Sequence, residues 1–78
     1  MREHYLTILK KDFESIMAGE RTIDIRKSNI FQIGDFIHYL PIDEECGMIV
    51  PHITNKFLIT NIHPGGIGFC GLVIERIA

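Results

Sequence analysis

GERTIDIRKSN, residues 19–29, is the stretch on which the reading of this chain turns. It threads Arg21, Asp24, Arg26 and Lys27 around Ile23 and Ile25, in a chain whose formal net charge is −2. Over residues 22–26 the pattern has a period of two, as in an extended strand, with Ile23 and Ile25 on one face and Thr22, Asp24 and Arg26 on the other. The expectation is that the two isoleucines anchor the strand in the core while Asp24 and Arg26 pair on the opposite face. Arg21 and Lys27 then sit at the strand's two ends, where long side chains reach past the sheet rim. The plainest account of the charges is a solvated strand face with a structural ion pair.

On the N-terminal side the period changes. In KDFESIMAGE, residues 11–20, Phe13, Ile16 and Met17 are spaced i, i+3, i+4, which places them on one face of a short helix. Asp12 is the expected N-cap and Gly19 the left-handed residue that ends the helix. EHYLTILKK, residues 3–11, reads as a first strand, buried on both faces near its middle. On the C-terminal side Ser28 and Asn29 make a turn, and Ile33, Gly34 and Asp35 open a strand that Pro41 should limit. Residues 42–52 read as a loop with an acidic run at Asp43, Glu44 and Glu45, in which Met48 to Val50 pair briefly. NKFLITNI (55–62) is a strand, HPGGIG (63–68) a turn and FCGLVIERI (69–77) the last strand. Most of these strands have sequence neighbours close enough to pair antiparallel. The fold expected is therefore mainly β (α+β): a small, partly open β-barrel of about five strands, with one short helix after the first strand.

The 78 residues form a single domain, 1–78, with no room for a second core. Hydrophobic residues make up 46% and charged residues 23%, a globular rather than a disordered composition. A net charge of −2 excludes a surface that binds polyanions everywhere, so any nucleic-acid contact has to be a local basic patch. The N-terminus lacks the pattern of a signal peptide and no apolar run nears the ~18 residues that span a bilayer. With two cysteines far apart in sequence, the expectation is a cytoplasmic protein with reduced thiols and no membrane partner.

The order helix, GERTIDIR, FQIGDFI and closing GLVIERI resembles the ASCH (ASC-1 homology) family, especially its small single-domain bacterial and phage-type members, which are relatives of the PUA domain. The matching positions are Gly19, Arg21, Asp24 and Arg26, followed by Ile33, Gly34 and Asp35, and the resemblance covers nearly the whole chain. It implies a PUA-like barrel with a cleft lined by the strand of residues 22–26, and RNA or a nucleotide-like ligand in that cleft. The ligand-binding residues would be Arg21, Thr22, Asp24, Arg26 and Lys27. Such residues suit that chemistry: an arginine fork holds phosphate bidentately or stacks on a base, and a nearby acid orients the fork. Gly34 and Asp35 read as structural, a turn glycine and an acid that satisfies nearby backbone groups.

Some small ASCH proteins are amidohydrolases of acetylated cytidine nucleosides, in which a Lys, a Thr and a later Glu are thought to act. Arg21 and Asp24 replace the first two here, and an arginine cannot give up its proton to serve as nucleophile or base. The segment between the last two strands is too short for a helix carrying the Glu, so no catalytic residue is assigned. No metal or cofactor is assigned either, since no pair of Cys or His has C-x-x-C or H-x-x-x-H spacing. His38, or His52 near Cys46, would have to meet in space. Cys46 follows two glutamates that disfavour its thiolate, Cys70 reads as a small buried residue, and HPGGIG reads as a hairpin turn rather than a phosphate loop. Two alternatives to RNA or nucleotide binding stay open: a hydrolase acting on a modified nucleoside, and a protein-interaction module using exposed Ile and Phe of an edge strand.

Overall fold

The computed structural model describes residues 1–27, 30–50 and 54–78. The turn expected at Ser28 and Asn29, and the approach of His52 to Cys46, lie outside the described residues. The elements in chain order are β1 (Glu3–Leu9), α1 (Lys10–Met17), β2 (Ile23–Arg26), β3 (Phe36–Ile42), β4 (Phe57–Pro64) and β5 (Cys70–Arg76). Five strands form one sheet in the order β1-β3-β4-β5-β2. A mainly β fold with one helix after the first strand is thus what the chain adopts.

The pairing departs from an all-antiparallel arrangement. β1 runs parallel to β3, with Glu3 opposite Phe36 and Leu9 opposite Ile42. A parallel pair needs a crossover of a dozen or more residues, which the segment containing α1 and β2 supplies. The other pairs, β3–β4, β4–β5 and β2–β5, are antiparallel. The sheet is not closed into a barrel: β1 and β2 are its two end strands and do not pair with each other.

The helix starts at Lys10, straight out of β1, with Leu9 rather than Asp12 at the N-cap position and Asp12 in the first turn. Its end is as the pattern of residues 11–20 predicts. Gly19 has φ 76°, and the amides of Gly19 and Glu20 donate to the carbonyls of Ile16 and Ser15 at 3.1 and 3.0 Å. That is a Schellman closure, in which a left-handed residue costs glycine least. Phe13 and Ile16 are buried and Met17 packs against them.

The core lies between the helix and the inner face of the sheet, where Ile8, Ile37, Tyr39, Phe57, Ile59 and Leu72 meet. β1 is buried on one face only, since Tyr5 and Thr7 point outward. β3 continues through Pro41 instead of stopping before it. β4 pairs with β3 only at Phe36 and Ile37, so it has already diverged by position 41 and the missing proline N–H removes no ladder bond. Where β4 is absent, the buried Asn55 side chain substitutes for it. Tyr39 N donates to Asn55 Oδ1 at 2.8 Å and Asn55 Nδ2 donates to the Tyr39 carbonyl at 2.9 Å.

β2 faces the opposite way from the expectation. Asp24 is 4% exposed, whereas Ile23 and Ile25 are 43% and 63% exposed. The register explains it. Asp24 lies opposite Leu72 and Arg26 opposite Cys70, both inward residues of β5, and directly opposed residues share a face. Ile23 and Ile25 oppose Val73 and Gly71 on the outer face.

Candidate functional site

Asp24 enters the interior, and Arg26 lies half-buried beside it. Arg26 Nε donates to Asp24 Oδ2 at 2.9 Å, and the Tyr39 hydroxyl donates to the same oxygen at 2.7 Å. Burial, reinforced by the Asp24 charge, pushes the Tyr39 hydroxyl well above its usual range, so it stays a donor. The Arg26 guanidinium also lies 5.8 Å from the centre of the Tyr39 ring. Its Nη1 donates to the backbone carbonyl of Thr7 at 3.0 Å. Thr7 belongs to β1, so a single side chain joins the two end strands of the open sheet.

The expected binding residues do not form one cleft. Arg21 lies before β2, with Nε on the Ile23 carbonyl at 3.1 Å and Nη1 3.5 Å from Asp12 Oδ1. It shares a cavity of about 250 Å3 with Thr22, Arg76 and apolar residues of α1 and β5. Thr22 is exposed, and its carbonyl accepts from the Ile74 amide at 3.0 Å. Lys27 lies beyond the other end of β2, beside a different cavity of about 600 Å3. Asp24 and Arg26 are brought together and Arg21 and Lys27 are kept apart. The four extended residues of β2, at about 3.3 Å each, lie between them, and the two side chains line different cavities.

Asp35 does what was expected of it, closing backbone groups from two segments. Its carboxylate accepts from the amides of Arg2 and Gln32, each at 3.1 Å, and from His4 Nε2 at 2.9 Å. The hydrogen bond from His4 outweighs the opposing effect of burial, and with the two amides it holds this carboxyl below its ordinary range. Gly34, next to it, has φ 94° and its amide donates to the Ile59 carbonyl at 2.9 Å.

Two features had no local signal in the sequence. One is Asn55, recognisable only once β3 and β4 are seen to diverge. The other is a polar cluster on the outer face of the sheet. There His38 stacks on Tyr5 with ring centres 4.7 Å apart, and both its ring nitrogens face oxygen atoms: the Asn55 carbonyl at 3.0 Å and Glu3 Oε1 at 2.8 Å. The His38 hydrogen bond, aided by the Lys56 ammonium, lowers the Glu3 carboxyl from its ordinary range. No protein-family model matches the chain, and no curated protein is significantly similar to it.

Proposed function

We propose that the chain is an ASCH-like module that binds RNA or a nucleotide-like ligand along β2, its sheet being a PUA-like barrel opened between β1 and β2. The observation that carries this reading is the state of Arg26. Two fixed acceptors, Asp24 Oδ2 and the Thr7 carbonyl, orient its guanidinium at the gap between the end strands. These contacts use two of the five N–H donors of an arginine, and the side chain remains 22% exposed. A fork held in this way is ready for a phosphate or a base edge without the entropy cost of ordering it. Arg21 and Lys27, at opposite ends, suit a short strand of RNA that passes Arg26 better than a lone phosphate. With so few cations, generic affinity falls in the weak range of about 10⁻⁴–10⁻⁶ M.

No catalytic role goes with this proposal. Asp24 Oδ2 already accepts two hydrogen bonds, and Arg21 cannot act as a base. The exposure of Ile23 and Ile25 favours a second reading, in which the outer face of β2 meets a partner protein. An NMR titration with a single-stranded oligouridylate and with nucleoside monophosphates, at about 50 and 200 mM salt, separates the two. Binding along β2 moves amides of residues 21–27 and of Thr7, weakens with salt, and weakens again in Arg21→Gln and Lys27→Gln. The absence of shifts, together with concentration-dependent sedimentation, would instead favour the protein partner.

A further inference from the structure

The cavity beside Lys27 has a character of its own. It holds about 600 Å3, inside the range of small-molecule sites, and its walls are Phe31, Ile62, Pro64, Phe69 and Cys70. Lys27 is the one charged residue among the described residues that line it. No carboxylate among the described residues lies within ion-pair distance of the Lys27 ammonium. The position of Arg26 differs: its charge is met by Asp24, and it is not part of this lining.

We infer that this cavity binds a small aromatic monocarboxylate, with the ring against Phe31 and Phe69 and the carboxylate at Lys27. The two phenyl walls are anchored differently, Phe31 by its ring and Phe69 by its backbone. Phe31 is buried and packs on the His4 ring with centres 4.7 Å apart. Phe69 is fixed by the hairpin after β4, where its amide donates to the Gly66 carbonyl at 2.9 Å and its carbonyl accepts from the Gly65 amide at 3.1 Å. A Cβ on Gly65 would stand 3.2 Å from Phe69 Cβ, so the glycine lets the hairpin bring that ring over the cavity. Phenyl walls favour an aromatic body through edge or offset contacts. One cation in an otherwise apolar lining matches one negative charge. A phosphate dianion would leave charge uncompensated beside apolar groups, which is costly. The inference shares Lys27 with the RNA binding proposed along β2 but does not depend on it.

Phenylacetate and its neutral analogue phenylacetamide test it by NMR titration of the whole chain. The acid binds about three-fold tighter than the amide, the scale of one exposed ion pair, and shifts amides at residues 27 and 62–70. Lys27→Gln removes that preference and leaves amide binding unchanged. Phe69→Ala, at a half-exposed position outside the core cluster, weakens both ligands. Equal affinity of acid and amide for the unmodified protein overturns the inference, as does a preference that survives Lys27→Gln, shifts confined to other residues, or no shifts at all.

Discussion

Asp24 is where charge and core meet in this protein. Its carboxylate is out of water, and it persists there because a guanidinium and a phenol both donate to one oxygen. Removing one partner of such a group costs more than the net value of its hydrogen bonds, because what remains is buried and under-satisfied. Tyr39→Phe deletes a single hydrogen bond to a carboxylate and should lower unfolding free energy by about 1.5–3 kcal/mol. Asp24→Asn leaves Arg26 without its counter-charge and should cost more, about 3 kcal/mol. Urea unfolding of both variants and of the double variant checks the order. Because both changes act on one oxygen, the double variant should lose less than the sum of the singles. A loss of only a few tenths for Asp24→Asn would mean that the pair is solvated after all. The pairing of Asp24 with Arg26 was legible two residues apart in sequence, but the face they share was not. A period-two pattern looks the same from either side, and only the opposition to Leu72 and Cys70 puts the charges inward.

At the scale of elements, the end of α1 was written locally, whereas its start, the end of β3 and the partners of the strands were not. Gly19 marked the end of α1 because its left-handed φ satisfies two carbonyls within one turn. Nothing comparable near Pro41 announces that β4 diverges before reaching it, or that Asn55 takes its place. Asp35 lies between these cases: its position before a strand was readable, while its partners Arg2 and His4 are more than thirty residues away. It ties the start of β1 to the turn that leads into β3. Its carboxyl titrates below the ordinary range when folded, so its contribution to stability is fully present above the unfolded pKa, about 3.9, and is lost as pH falls through the folded value. Asp35→Asn should therefore lower stability at neutral pH and flatten the acid limb of the stability curve below about pH 4. Urea midpoints measured between about pH 6 and pH 2 test this, and an unchanged slope in the variant would assign acid sensitivity to other groups, Glu3 among them.

For the whole molecule, the open sheet poses a problem of edges. β1 and β2 each have one paired neighbour, and end strands of that kind open locally at low cost. Arg26 joins them across the gap, with its Nε on β2's own Asp24 and its Nη1 on the Thr7 carbonyl of β1. This contact needs the planar fork of arginine, because an ammonium is a point donor on a flexible stem and cannot hold both acceptors in that geometry. Arg26→Lys keeps the charge and the pairing with Asp24 but should release Thr7. Amide hydrogen exchange should then quicken in β1 and β2 together, by about five- to ten-fold for the loss of one solvent-exposed hydrogen bond worth roughly 1–1.4 kcal/mol, while β4 and β5 keep their protection. Faster exchange in β2 alone would mean that the guanidinium holds only its own strand. Joint loosening that leaves the proposed RNA binding intact would make the Arg26 fork a structural clasp, and joint loosening that abolishes it would tie the proposed binding face to the closure of the gap.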